Sequence, residues 1–381
     1  MCPLGPLGPI AYRPQIHHRP PDQHMAHFLN ADNRLVDWLS RQDQPDYRVR
    51  QIEDWIYRRR ATTFGQMTNL PQSLQQRLAD VFDIWTTRAV RHHRADDGSE
   101  KLVLELSDGG RIECVLLRDE KRRTICVSTQ VGCAMGCVFC ASGLNGVERN
   151  LTTGEIVEQM LRLQRLLPEQ ERLSHVVIMG MGEPLANLPA LLPALEAASD
   201  CQRLGISKRR ITISTVGLPR AIDRLVAQGT TYHLAVSLHA ANDQLRNRLV
   251  PTNERTGLPA ILAAADRYFE SSGRRLTFEY VLLADINDSD REAHELAGLL
   301  RGRPALLNII PYNPVAGLPY RTPSHPTLTR FRNILEQHGI QVQVRQRKGD
   351  KINAACGQLR RETPPQERQT PPAGSNPDLA S

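Results

Sequence analysis

An α/β fold follows from this amino-acid sequence: a partial (β/α)6 barrel, preceded by a small helical domain and flanked by disordered tails. Three features lead there. Six short β-rich runs, RTICVST, HVVIMG, RRITIS, YHLAVSL, TFEYVLL and ALLNIIP, succeed one another between residues 123 and 311. Most are separated by stretches with room for a helix, such as GEIVEQMLRLQRLL after Thr153, an alternation that marks repeated βα units and a parallel sheet. Six strands are too few to close an eight-stranded barrel, so the sheet is expected to stay open, with QVQVRQRK added afterwards.

Taken in order, residues 1–25 are rich in Pro and His without apolar periodicity and read as a disordered leader, with Met25 an alternative start to Met1. Residues 26–95 read as a helical domain, because Leu35, Trp38 and Leu39, then Ile52, Trp55 and Ile56, then Leu74, Leu78, Val81 and Phe82 recur at spacings near three and four. Within it, Arg48, Arg50, Arg58, Arg59 and Arg60 interleave with Tyr47, Trp55, Tyr57 and Phe64. That segment is either a solvated helix face or an RNA-contacting one. Residues 96–122 form a β-hairpin extension, since KLVLEL and RIECVLL flank the turn Ser107-Asp108-Gly109-Gly110. Residues 123–360 make the barrel and a C-terminal loop, and 361–381 return to a Pro-rich polar tail.

Composition sets the class of partner. The 381 residues are 40% hydrophobic and 23% charged, enough for one large core with a small companion domain. Lys and Arg exceed Asp and Glu by 48 to 41, a net charge of +7 that suits a polyanion. No stretch approaches the roughly 20 apolar residues that cross a bilayer, and no signal core follows the N-terminus, so a cytoplasmic, monomeric protein without membrane contact is expected. In a reducing compartment the eight cysteines, at 2, 114, 126, 133, 137, 140, 201 and 356, point to metal or catalytic chemistry in preference to structural disulfides.

Cys133, Cys137 and Cys140 form a Cys-x3-Cys-x2-Cys loop directly after RTICVST. Three thiolates so spaced can ligate three irons of a 4Fe-4S cluster and leave the fourth iron without a protein ligand. Structural zinc needs four closed ligands, and no fourth Cys or His completes such a spacing nearby. This loop, with Phe139 before its third cysteine, resembles the radical SAM superfamily. The resemblance implies that S-adenosylmethionine (SAM) chelates the open iron and is split to methionine and a 5′-deoxyadenosyl radical. Candidate SAM contacts recur at later strand ends: Gly182 and Glu183 in Gly-Met-Gly-Glu-Pro after HVVIM, whose glycines permit close backbone approach; Ser214; Ser237, Leu238 and His239; and Asn313.

Cys126, in the strand before the triad, and Cys356, in GDKINAACGQL, stand apart from Cys114 and Cys201, which read as buried small hydrophobes. From about Tyr47 to Leu359, the order Cys126, triad, Gly-Met-Gly-Glu-Pro, Ser-Leu-His, Pro-Tyr-Asn-Pro and Ala-Ala-Cys-Gly-Gln-Leu resembles the RlmN/Cfr family of RNA methyltransferases. The resemblance implies two SAM per turnover, the first methylating Cys356 and the second yielding the radical that removes hydrogen from that methyl group. It implies that Cys126 resolves the resulting protein–RNA crosslink, leaving a transient disulfide, and that Glu113 is the proton acceptor. Expected partners are 23S rRNA and tRNA, with a splayed-out adenine as target, and an electron donor such as flavodoxin or ferredoxin. Carbon 2 of adenine is the expected product position. Competing readings are a Cfr-type C8 methyltransferase, a non-catalytic iron-sulfur RNA-binding protein, and radical chemistry on a small molecule.

Overall fold

The computed structural model describes residues 26–30, 34–345, 349 and 352–359; the leader and tail expected from the sequence lie outside them. The N-terminal module packs α1 (Arg34–Arg41), α2 (Tyr47–Glu53) and α3 (Gln72–Val81), with β1 (Ala26–His27) and β2 (Phe82–Asp83) in parallel beneath them. The apolar positions that carry its periodicity, among them Leu35, Leu39, Ile52, Ile56, Leu74 and Leu78, are buried in its core. The helical reading runs too far at its end. Arg88–Arg94 is a strand, β3, which lacks apolar alternation because it forms the edge of the main sheet and bonds only to β4 (Glu100–Glu105). β4 turns into β5 (Arg111–Arg118) through Ser107–Gly110, and the two pair antiparallel.

The barrel strands follow as β6 (Arg123–Cys126), a small antiparallel ribbon of β7 (Gln130–Gly132) and β8 (Val147–Asn150), then α4 (Thr153–Gln164), β9 (His175–Ile178), α5 (Leu188–Ser199), β10 (Ile211–Thr215), α6 (Pro219–Ala227) and β11 (His233–Ser237). After α7 (Asp243–Leu249) and α8 (Leu258–Ser272) come β12 (Leu276–Leu282), α9 (Asp290–Leu300), β13 (Ala305–Pro311), α10 (His325–Gln337) and β14 (Gln341–Val344). The sheet order is β14-β13-β12-β11-β10-β9-β6-β5-β4-β3, parallel from β14 to β6 and antiparallel beyond. Six βα strands thus make the partial barrel, and the hairpin extends the same sheet. No helix among the described residues is long and apolar enough to cross a membrane.

Helix α4 is clamped between the sheet and the N-terminal module, which explains why polar residues on it are buried. Its start is a reciprocal cap: Thr152 Oγ1 accepts from Glu155 N–H, and Glu155 accepts from Thr152 N–H. On its outer face the buried Glu158 carboxylate accepts from the backbone and hydroxyls of Thr86 and Thr87 and from Arg162 Nε, 2.6–3.1 Å away, with His27 Nε2 at 3.4 Å. The arginine-rich segment serves the same joint. Half-buried Arg60 donates to the carbonyls of Leu167, Pro168 and Glu171, and Arg58, which stays exposed, donates to that of Cys201.

Candidate active site

Strand register builds the site. In the pairs Glu113–Val103, Val115–Lys101, Val115–Cys126, Cys126–Val177, Ser214–Ala235 and Ser237–Glu279, partners share a face, and alternate residues along each strand share it too. Lys101, Glu113, Cys126, Ser214, Ser237 and Glu279 therefore stand on one side of the sheet. Ile125, Val176, Ile213, Val236 and Phe278 stand on the other, buried in the core. The polar side forms a cavity lined by Cys133, Cys137, Cys140, Gly182, Glu183, Ser214, Ser237, His239, Asn313 and Cys356. Cys133 and Asn313, 180 residues apart in sequence, meet because each follows a strand end.

The cysteine loop springs from β7 and is held at both ends: Cys133 N–H donates to Gly146 O at 2.9 Å, and Ala141 N–H to Gly357 O at 2.8 Å. Phe139 packs edge-on against the His239 ring, centroids 4.8 Å apart. Burial raises all three thiols, Cys133 to about 12, so bound iron would be what ionises them. Among the described residues no group of three or more His, Cys, Asp and Glu converges on a single metal ion. Three thiols on one cavity wall match the three-thiolate set that can hold a 4Fe-4S cluster. The Asn313 Oδ1, buried without a hydrogen-bond partner on the same wall, is an acceptor left for a ligand.

The remaining candidates separate into ligand-facing and framework groups. Glu183 is buried; one carboxylate oxygen accepts from Leu185 N–H at 3.0 Å and the other from Val216 N–H at 2.8 Å, so it already fastens two strand-end loops. Burial raises its pKa above the ordinary carboxylate value. The glycines before it are explained by the protein's own backbone: a Cβ on Gly180 would lie 2.6 Å from Val127 O and Ser128 Oγ, and one on Gly182 (φ +101°) 2.6 Å from Gln130 Cβ. Ser214 Oγ donates to Glu279 Oε2 at 3.1 Å. His239 sits at φ +62°, its Nδ1 accepting from Val281 N–H at 3.0 Å, which leaves the proton on Nε2. Burial depresses its pKa to about 3, so the ring is neutral. Leu238 is buried in the core and contributes only backbone, its N–H donating to Glu279 O and its carbonyl accepting from Arg246.

Cys356 lies where this cavity meets a second one, lined by Cys126, Met179, Asn313, Arg345 and Cys356. Asn313 Nδ2 holds the Cys356 carbonyl at 3.1 Å. Burial raises both thiols, Cys126 to about 12, with the nearby Cys356 adding to the effect and Arg345 opposing it. Glu113 is not a solvent-facing strand residue: it is 1% exposed and paired to Lys101, itself 4% exposed, at 2.7 Å. Cys114 is buried as expected, whereas Cys201 is exposed, because it falls in the loop after α5 and not in a strand. Cys2 lies outside the described residues. Lys101, Arg246, Glu279 and Arg345 were not singled out by sequence. The charges of Lys101 and Glu279 inside the apolar runs KLVLEL and TFEYVLL are the signal that could have found two of them.

Two family models match the chain: the radical SAM superfamily over residues 127–297, and the ribosomal RNA large subunit methyltransferase N-terminal domain over residues 28–84. A Rhodopirellula baltica protein named "Probable dual-specificity RNA methyltransferase RlmN" is 62% identical over 336 residues, covering 88% of this chain and 91% of that one. A protein of the same name from Symbiobacterium thermophilum is 44% identical over 328 residues, covering 86% and 88%. The crystal structure of a radical SAM methyltransferase from Sphaerobacter thermophilus matches with a TM-score of 0.85 at 44% identity, over 88% of this chain and 99% of that one.

Proposed function

Since the chain belongs to the RlmN family of radical SAM RNA methyltransferases, we propose that it methylates carbon 2 of a specific adenine in 23S rRNA and in tRNAs. Membership of the superfamily implies SAM and a 4Fe-4S cluster, which when bound supply the methyl group and the hydrogen-abstracting radical. Cys133, Cys137 and Cys140 would hold the cluster, while Gly182, Glu183, Ser214, Ser237, the Leu238 backbone, His239 and Asn313 would hold SAM.

Cys356 carries the methyl group on its sulfur and delivers it as a thiomethylene bridge to the base. Glu113 accepts the C2 proton as the adduct collapses. Cys126, once it has lost its proton, attacks the Cys356 sulfur, and the bond from that sulfur to the transferred carbon breaks. Its electron pair stays on the carbon, which takes up a proton to become methyl, and the Cys126–Cys356 disulfide left behind must be reduced by an external dithiol. The observation that carries this reading is the position of Cys356 on the wall shared by two cavities, one lined by the cysteine triad and the other by Cys126. The N-terminal module, residues 26–83, positions the RNA; with Arg58 and Arg60 bonded to the barrel, the exposed Tyr47 and Arg50 are the candidates for contact. Flavodoxin or ferredoxin would supply electrons to a monomeric, cytoplasmic enzyme.

Mass spectrometry of nucleosides from rRNA and tRNA, incubated with reconstituted enzyme, SAM and reductant, tests the product. We expect 2-methyladenosine; 8-methyladenosine in its place would move the protein to Cfr-type chemistry. The Cys126→Ala variant should accumulate enzyme covalently joined to RNA, and a variant that turns over without such an adduct removes the resolving role from Cys126.

A further inference from the structure

The proton acceptor proposed above shares its sheet with a buried cation that the reaction scheme has not used. Lys101 on β4 and Glu113 on β5 lie on the same face of the hairpin, and the Lys101 ammonium donates to Glu113 Oε1 at 2.7 Å. The same ammonium donates to Asn353 O at 3.2 Å, across 252 residues, within the turn that leads to Cys356. A second contact ties the same two parts together. Asp97 Oδ2, just before β4, accepts from Gly349 N–H at 2.8 Å, and Gly349 O in turn accepts from Ala354 N–H at 2.8 Å. The hairpin thus carries the base on β5 and supports the methyl-bearing segment from beneath.

An ammonium and a carboxylate both withdrawn from water stabilise each other as a pair, and the facing cation favours the ionised form of the carboxylate. A base must be ionised before it can take a proton, and it must be placed against the carbon that Cys356 delivers.

We propose that Lys101 is the positioning residue of this site: it keeps Glu113 ionised and fixes the Cys356 turn against it through Asn353. The proposal rests on the reading of Glu113 as proton acceptor. Lys101 touches no substrate in this role. It acts through its two partners.

The test is the pH dependence of adenine methylation under single turnover, for wild type, Lys101→Met, Lys101→Arg and Glu113→Gln. Without the cation the carboxylate is harder to ionise, so the acid limb of the Lys101→Met profile should move to higher pH by one unit or more. At a pH on that limb the rate falls at least tenfold, and Lys101→Arg should recover most of it. A Lys101→Met profile superimposable on wild type overturns the proposal. Should Lys101→Met fail to fold, the Lys101→Met/Glu113→Gln double variant, which buries no unpaired charge, is compared with Glu113→Gln alone. Equal rates in the two support action through Glu113, and a further tenfold loss in the double variant overturns it. If Glu113→Gln keeps the wild-type rate and acid limb, the base assignment itself fails and the proposal with it. If Glu113→Gln abolishes the limb while Lys101→Met leaves it in place, only the role of Lys101 is lost.

Discussion

Arg246 has the largest fully buried side chain among the described residues, and four carbonyl or amide oxygens converge on its guanidinium. It donates to Leu238 O at 3.0 Å, Ser237 O at 2.9 Å, Val216 O at 2.6 Å and Asn253 Oδ1, joining the ends of β10 and β11. Burial lowers its pKa to about 10, so it remains a cation at neutral pH. Replacement by leucine strands those acceptors and should cost about 3–5 kcal/mol in urea unfolding, with lysine recovering only part because it cannot span the fork. Cys126 gives a prediction in pH. Its thiol is held up to about 12, chiefly by burial, so below that value the thiolate fraction rises about tenfold per pH unit. Resolution of the RNA adduct should accelerate by about that factor per unit between pH 7 and 9, followed by quenched gel assay. A rate indifferent to pH would show that another group takes the Cys126 proton.

The segment from β9 to its 3-10 turn illustrates how an element is aimed by packing. Gly180 crosses so close to Val127 and Ser128 that no side chain fits, and the Met181 N–H is caught by Ser128 Oγ at 2.8 Å. Gly180→Ala should therefore push β9 from the end of β6, costing about 1–3 kcal/mol in thermal or chemical unfolding. Because Glu183 follows on the same turn, SAM affinity measured by equilibrium dialysis should fall tenfold or more. Unchanged affinity in a destabilised variant would place the SAM site away from this turn. The glycines that permit close backbone approach here also make room for the protein's own chain, the nearest neighbour of each.

Over the whole molecule, α4 is one of the places where the N-terminal module and the barrel are joined, beside the Arg203–Glu53 pair. Glu158 on that helix gathers two backbone N–H groups, two hydroxyls and Arg162, while Arg162 and Arg165 lie over the Trp85 ring at 4.7 and 5.8 Å. Glu158→Ala leaves those donors unpaired at a buried joint, and about 3–5 kcal/mol of docking should be lost. Limited proteolysis should then cut near residues 84–88 before it cuts the barrel. RNA methylation should fall while SAM binding persists; parallel loss of both would show that the module supports the barrel and not RNA placement.

The arrangement of strands, the hairpin turn and the cysteine loop were legible in the order of residues, because period, turn chemistry and ligand spacing act over short stretches of chain. Edge strand β3 was not, since a strand paired on one side and exposed carries no apolar alternation. Nor could Arg58 and Arg60 be assigned, because a guanidinium bound to carbonyls more than a hundred residues away has the same local sequence as one in solvent. The Lys101–Glu113–Asn353 bridge, the Arg246 fork and the backbone bonds of Glu183 belong with them. Chemistry was written in local spacing, whereas charge pairing and orientation depend on groups that only chain folding brings within a few ångströms of one another.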